Sequence, residues 1–159
     1  MDFIVESALQ SMPEENFENM SQANIKVIGV GGAGNNMVGW LYKKGIKGAE
    51  IIATNTDHQH LGITGADRKF LIGKDCTRGL GCGGYPSKGA EAAQESMAML
   101  KESLKTSDMV FVCAGMGGGT GTGAAPVVAQ VAKDTGSIVI GTVTMPFNIE
   151  KARCDKAEF

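Results

Sequence analysis

The sequence predicts a three-layer α/β domain in which a Rossmann-like, mostly parallel sheet carries helices on both faces. Three observations predict this fold. Apolar strand-like segments alternate with helix-like segments in the order β-α-β-β-α-β-α-β. The strand-like segments have the apolar character of strands buried under helices. Three glycine clusters lie at or near the predicted carboxyl ends of strands, which is where such sheets bind ligands.

The first half of the domain follows this alternation from residue 25. Residues 25–30 form a buried strand that ends in a glycine cluster, and residues 35–44 form a helix that closes at Gly45. Residues 50–55 are predicted as the second strand and residues 69–72 as a short third strand.

The second half begins with a long loop over residues 73–87, which carries the second glycine cluster. Apolar residues then recur at helical spacing over residues 89–105 and predict one long helix. A strand at 109–114, a helix at 124–133 and a strand rich in Val, Ile and Thr at 137–145 complete the pattern.

The two ends of the chain differ from the predicted domain. Residues 1–24 are predicted to form a flexible tail, because residues 12–23 are polar and acidic and contain Pro13. A helix predicted to begin near Ile149 shows no Gly or Pro stop signal before Phe159. We therefore expect residues 25–159 to be one domain of a longer protein.

Composition limits the classes of function. The length of 159 residues suits one domain, and a net charge of −2 gives no basic surface for nucleic acid. The apolar runs are too short to span a bilayer, and the acidic, polar start is unlike a secretory signal. Direct membrane insertion is not expected.

The metal-binding side chains do not form a recognisable set. The cysteines lack CxxC spacing, and His58 and His60 have no nearby Cys or His to complete a metal site. We interpret the cysteines as reduced thiols of a cytoplasmic protein and expect neither a zinc site nor a disulfide. The four cysteines are Cys76, Cys82, Cys113 and Cys154.

The most informative segment covers residues 115–123, where six of nine residues are glycine and two are threonine. It lies between a predicted strand and a predicted helix. Glycine lets ligand oxygens approach backbone N–H groups closely, and a helix start offers free N–H donors to a phosphate. The segment therefore predicts a phosphate site that depends on backbone rather than on lysine. Replacing Gly119 or Gly121 is expected to abolish binding with little loss of fold.

The first glycine cluster leaves an alternative open. Residues 29–34 match G-x-G-x-x-G after a strand, and Asp57 lies near the position where a dinucleotide-binding protein carries an acidic residue. An NAD(P)-dependent oxidoreductase would explain this loop but not the two later ones. Three Gly-rich loops suit a triphosphate, and the chain has no G-x-x-x-x-G-K-[ST] P-loop.

Five segments in order resemble the nucleotide loops of the tubulin/FtsZ family, the tubulin-like GTPases of prokaryotic cell division. The resemblance covers residues 25–159 and is closer to the archaeal members. Its most specific motif is GGGTGTG at residues 117–123. The other segments are GVGGAGNN at 29–36, ATNTD at 53–57, TRGLGCGGYP at 77–86 and PFNIE at 146–150.

The resemblance implies a GTP/GDP site with Mg²⁺ held mainly by the nucleotide. Asp57 would lie near the phosphate and Mg²⁺, and Glu150 and Arg153 would contact the ribose, although Lys151 stands where the family has glycine and Arg153 comes one position early. The remaining roles fall to the glycine loops. Gly32, Ala33, Gly34, Asn35 and Asn36 would line the phosphates and the nearby sugar or base; Gly118, Gly119, Thr120, Gly121, Thr122 and Gly123 would hold the diphosphate; and Gly81, Cys82 and Gly83 would sense the γ-phosphate.

The resemblance also implies partners and a division of labour. The intact protein would form head-to-tail filaments of identical subunits at the division site in the cytoplasm, with division-machinery or membrane-adaptor proteins. The family's central helix and water-positioning acidic loop come later than residue 159. Residues 1–159 alone are therefore expected to contain no catalytic residue and to hydrolyse GTP negligibly. A tubulin-like regulatory domain that binds nucleotide without hydrolysis remains an alternative.

Overall fold

A computed structural model describes residues 23–158, and the predicted tail at residues 1–24 lies almost entirely outside them. Five strands form one parallel sheet in the order β3-β2-β1-β4-β5. Each end of the five predicted strands lies within one residue of the observed end. They are β1 (Ile25–Val30), β2 (Ala49–Asn55), β3 (Arg68–Leu71), β4 (Met109–Gly115) and β5 (Ile138–Thr144).

Seven α-helices and one turn of 3₁₀ helix connect or follow these strands in the described part of the chain. The helix α1 begins directly after β1 and ends at Gly45, whose φ of 71° makes a left-handed cap. The helices are α1 (Gly31–Lys44), α2 (His58–Ile63), α3 (Lys74–Thr77), α4 (Pro86–Glu95), α5 (Met97–Leu104), α6 (Thr120–Asp134) and α7 (Ala152–Ala157); the 3₁₀ turn is Asn148–Glu150.

The sheet has a separate apolar core on each face, which confirms the three-layer fold. On one face, Ile28 and Val112 of the central strands pack with Leu100 and Val128 of the helices. The opposite face has a smaller core in which strand residues pack with α1 and α2: Val27, Val38, Ile51, Ala53, Leu61 and Cys113. Burial on both faces explains why β1, β2 and β4 are apolar without alternation, whereas the apolar residues of β5 are mostly exposed.

The predicted helix over residues 89–105 is two helices, α4 and α5. The break lies at Ser96, whose hydroxyl oxygen accepts a 3.0 Å hydrogen bond from the backbone N–H of Gly73. That contact joins residues 23 positions apart, so the helical periodicity of the segment does not contain it. The prediction of a single helix was wrong for this reason.

Other differences concern the loops and the starts of helices. The segment 74–77 forms the short helix α3 within the loop predicted at residues 73–87, and the segment 58–63, for which no element was predicted, forms the short helix α2. The helices α1 and α6 each begin four residues earlier than predicted, so their first turns contain glycines. Glycine is a poor helix former, which is why the sequence pattern places these starts too late.

Candidate functional site

The carboxyl ends of β1, β4 and β5 surround a cavity of about 540 Å³. The predicted site residues that line it belong to three segments, namely the start of α1, the start of α6 and the segment after β5. These residues are Gly32, Ala33, Gly118, Gly119, Thr120, Gly121, Glu150 and Arg153. All three glycine clusters were expected to converge on one site; the first and third line this cavity, whereas Gly81, Cys82 and Gly83 of the second do not.

Two helix starts face this cavity without side-chain caps. The residue before α1 is Val30, whose side chain is apolar, and the residue before α6 is Gly119, which has no side chain. Neither residue therefore caps a first-turn N–H group. The first N–H groups of a helix have no partner inside the helix and carry its positive dipole end. The cavity thus offers two sets of backbone donors to an anion, and no lysine lies among its lining residues.

The glycines of the site serve two purposes. Gly32 and Gly118 face open space, since a Cβ at either would meet no atom within 4 Å. At Gly121 a Cβ would lie 2.6 Å from the Gly115 carbonyl oxygen, and at Gly119 it would lie 3.0 Å from the Tyr85 amide nitrogen. Gly119 and Gly121 thus allow close packing of the loops, and their replacement disturbs the fold. The expectation of little loss of fold was wrong for these two positions.

Gly34 and Gly123 do not line the cavity but pack behind it. A side chain at Gly34 would strike the backbone of Cys113, and one at Gly123 would strike the Pro86 carbonyl oxygen. Gly34 brings α1 against β4, and Gly123 brings α6 against α4. Their contribution to a site is the position of the two helix starts.

Asn35 is fully buried beneath the first glycine loop. Oriented with its nitrogen toward two carbonyl groups, its amide donates to Gly29 O at 3.0 Å and to Thr54 O at 3.2 Å. The Asn35 side chain therefore joins α1 to β1 and β2 and does not reach the cavity. Asn36 is exposed, and Asn35 and Asn36 both line a second cavity of about 290 Å³ beside Trp40.

Asp57 lies at the end of β2, outside the lining of the larger cavity. Its carboxylate caps α2 by accepting a 3.1 Å bond from the His60 N–H. The second glycine cluster is fixed at this strand end, since the Gly81 N–H donates to Thr56 O at 3.1 Å. Gly83 follows in the same loop with a φ of 59°.

Cys82 brings the second glycine cluster next to the third. Its buried thiol lies 3.4 Å from the Thr56 hydroxyl and 3.5 Å from the Thr120 hydroxyl. The two threonine oxygens are 2.7 Å apart. Thr122 has a buried hydroxyl without a hydrogen-bond partner in the described structure. Of the two threonines in the glycine-rich segment, Thr120 is thus the one that faces the cavity.

Glu150 and Arg153 line the cavity together as an ion pair of 2.8 Å. A second carboxylate oxygen of Glu150 accepts a 3.1 Å bond from the Phe147 N–H. The spacing of three residues, which departs from the family pattern, still places both side chains on one side of the chain. The pair can offer polar contacts at the cavity rim.

Seven lining residues were absent from the predicted site: Val30, Gly115, Met116, Thr144, Met145, Pro146 and Phe147. They end β1, β4 or β5, or follow β4 or β5 directly. The rule that ligands bind at the carboxyl ends of parallel strands could have included them. Their side chains carry no charge, so residue type alone gave no signal.

The Cys113 thiol, whose pKa is raised, does not line the cavity. Burial raises the pKa of the Cys113 thiol, which belongs to the core beneath α1. Within residues 23–158, no three His, Cys, Asp or Glu side chains cluster in a way that could hold a metal ion. Over the same range, every helix is too short or too polar to cross a membrane.

The chain matches the model of the Tubulin/FtsZ family, GTPase domain, over residues 24–159. It is 58% identical to cell division protein FtsZ 2 of Methanocaldococcus jannaschii over 141 residues, which cover 89% of this chain and 37% of that relative. It is 51% identical to cell division protein FtsZ 2 of Haloferax volcanii over 153 residues, or 96% of this chain and 38% of that relative. The chain thus spans about two fifths of their length.

Solved structures agree with this result. An FtsZ dimer of M. jannaschii, described as empty, superposes with a TM-score of 0.84 at 48% identity, covering 98% of this chain and 43% of that one. The GDP-bound monomer of CetZ1 from Haloferax volcanii gives a TM-score of 0.74 at 29% identity, covering 82% of this chain and 44% of that one. These two archaeal structures therefore share the fold of most of this chain.

Proposed function

This chain belongs to the tubulin/FtsZ family, and on that premise we propose that it is the GTP-binding domain of a cell-division protein. One observation carries the proposal. Two uncapped helix starts and a Gly-rich loop converge on one cavity that contains no lysine. Backbone N–H groups at helix starts bind phosphate oxygens through hydrogen bonds and the helix dipole.

The residues of the cavity suggest roles in binding. Gly118, Gly119, Thr120 and Gly121 would contact the diphosphate, with Gly32 and Ala33 on the opposite side. Glu150 and Arg153 would contact the ribose from the rim. Gly34, Asn35, Thr122 and Gly123 would act by positioning the helix starts, because their side-chain positions are buried behind the cavity. Asn36 would extend the site toward the sugar or base, and Gly81, Cys82 and Gly83 would lie beside the terminal phosphate.

The available carboxylates suit a Mg²⁺ ion that is held mainly by the nucleotide. The Asp57 carboxylate already caps α2, and Glu150 is paired with Arg153. Mg²⁺ in nucleotide sites usually keeps several waters and binds substrate phosphates with only one or two protein carboxylates. A bound ion would neutralise phosphate charge, and Asp57 could orient one of its waters from the end of β2.

We expect the 159-residue chain alone to hydrolyse GTP negligibly. The lining of the cavity contains one carboxylate, Glu150, and its ion pair leaves it poorly suited to orient an attacking water. Phosphoryl transfer depends on such positioning and on charge stabilisation around the γ-phosphate. In the intact protein, hydrolysis would use acidic residues of a neighbouring identical subunit in a head-to-tail filament.

The names of the relatives support a role in cell division, and one similar structure is described as a dimer. We therefore propose self-association into filaments for the intact protein. Its place would be the division site in the cytoplasm, with division-machinery or membrane-adaptor proteins as partners and no nucleic acid.

The identity of the nucleotide can be tested on the intact protein, because most of the guanine contacts that the family resemblance implies come later than residue 159. A fluorescent GDP analogue is bound, and unlabelled GTP, GDP, ATP and NAD are added as competitors at equal concentrations. Guanine nucleotides should displace the analogue at lower concentrations than ATP or NAD. If NAD competes best, the oxidoreductase alternative is correct; if no nucleotide binds, the proposal fails.

A further inference from the structure

Three hydrogen-bonding side chains from separate segments meet behind the diphosphate region of the cavity. Thr56 follows β2 directly, Cys82 lies in the second glycine cluster, and Thr120 begins α6. Thr56 is fully buried and Cys82 is 4% exposed, whereas Thr120 lines the cavity. Of these three side chains, only that of Thr120 can therefore contact a bound nucleotide, and the Thr56 and Cys82 side chains can act only through it.

The third member of the cluster determines which hydroxyl donates to which. Each threonine hydroxyl has one proton and can accept two bonds, and sulfur is a weak acceptor. The Thr56 and Thr120 oxygens are 2.7 Å apart, the usual length of an O–H···O bond, and by this distance alone either could donate. The Thr120 hydroxyl donates to the Cys82 sulfur at 3.5 Å, so its single proton is not on the bond to Thr56, and the Thr56 hydroxyl is the donor to Thr120.

This donation leaves the proton of Thr120 to point elsewhere. It can point to the Cys82 sulfur at 3.5 Å or into the cavity. A negatively charged phosphate oxygen is a much stronger acceptor than a thiol sulfur. A hydroxyl that already accepts a hydrogen bond is also a better donor, because bonds in a chain polarise one another.

We propose that Thr56 is a positioning residue that makes the Thr120 hydroxyl a dedicated donor to a phosphate oxygen of the bound nucleotide. The inference rests on the proposed function of the cavity. Cys82 serves as the acceptor for the Thr120 proton when no anion is bound. The chain Thr56→Thr120→phosphate would thus connect the end of β2 to the ligand, although Thr56 does not touch it.

The test is a double-mutant cycle on GDP binding. Thr56→Val keeps the shape of the side chain but removes the hydroxyl, and it should raise the Kd for GDP about tenfold, at the upper end of the effect of a lost hydrogen bond between neutral groups. Thr56→Ser keeps the hydroxyl and should bind within about twofold of the unmodified chain. In a Thr120→Val background, Thr56→Val should produce no further loss.

The outcomes separate this inference from the proposed function. If the unmodified chain fails to bind GDP, the proposed function itself is wrong. If it binds, two results overturn the inference: unchanged affinity in Thr56→Val, or the same loss with and without the Thr120 hydroxyl. Urea unfolding checks that each variant folds, and Thr56→Ala replaces Thr56→Val in the cycle if Thr56→Val does not fold.

Discussion

Gly118 and Gly32 allow stability and ligand binding to be changed in opposite directions. Both positions line the cavity, and an added Cβ would meet no protein atom within 4 Å at either one. Neither has a φ in the left-handed region. Replacing such a glycine by alanine stabilises a protein by about 0.4–1 kcal/mol, because the unfolded chain loses conformational freedom. Gly118→Ala and Gly32→Ala should therefore raise the free energy of unfolding.

The same methyl group should weaken nucleotide binding. It occupies the space through which a phosphate oxygen reaches the backbone N–H groups at the starts of α1 and α6. A hydrogen bond to a charged group contributes about 1.5–3 kcal/mol, so the loss of one such bond should raise Kd about 10- to 150-fold. The Kd is measured by titration with a fluorescent GDP analogue, and the free energy of unfolding by urea denaturation.

Gly62→Ala is the matched control. Gly62 is exposed on α2, a Cβ there also meets nothing within 4 Å, and the residue lies outside the cavity. This variant should gain similar stability and keep its affinity. If Gly118→Ala and Gly32→Ala bind as tightly as Gly62→Ala, the phosphates do not lie against these two backbone positions, and the proposed cradle is refuted.

Three further predictions concern stability and reactivity. Glu50→Gln should lower the free energy of unfolding in urea by about 1–2 kcal/mol, because it leaves the buried Lys26 ammonium without its carboxylate at 3.1 Å. A loss below about 0.5 kcal/mol would contradict a stabilising role for this ion pair. Cys76 should react slowly with iodoacetamide at pH 8 and faster up to about pH 11, since burial and then the nearby Glu95 raise its pKa to about 11. Glu95→Gln should speed the reaction of Cys76, and an equal rate in the two proteins would argue against Glu95 as a cause. Gly45→Ala should lower the free energy of unfolding by about 1 kcal/mol, because the left-handed backbone at the cap of α1 disfavours a side chain even with free space around it. Thermal unfolding measures the change, and an unchanged Tm would exclude this strain.

Much of the fold could be predicted because its information is local. The strand β1 occupies the predicted residues, since a run of apolar residues ending in glycine is legible without any tertiary contact. The break between α4 and α5 was not predictable in this way, because it depends on the bond between Ser96 and the N–H of Gly73. The short helix α2 was missed although Asp57 caps it, since six residues give too little periodicity to detect.

The candidate site was predictable to a similar degree. Glycine-rich segments at strand ends indicated the starts of α1 and α6, and the structure brings both to one cavity. The sequence could not show which residues face it. Asn35 and Thr122 belong to the same motifs as Gly32 and Thr120, yet both are buried, because their places on a helix turn them toward the sheet or neighbouring helices.

The burial of Asn35 has a consequence for how fast a ligand can be captured. Its amide fixes the start of α1 to two carbonyl groups of the sheet, so the N–H groups there are held in place before a ligand binds. A preorganised site has little conformational entropy left to lose on binding. Association should then be limited by diffusion and orientation, with no slow loop closure before the first phosphate contact. The arrangement of the N–H donors in the site would thus be fixed during folding, before the ligand arrives.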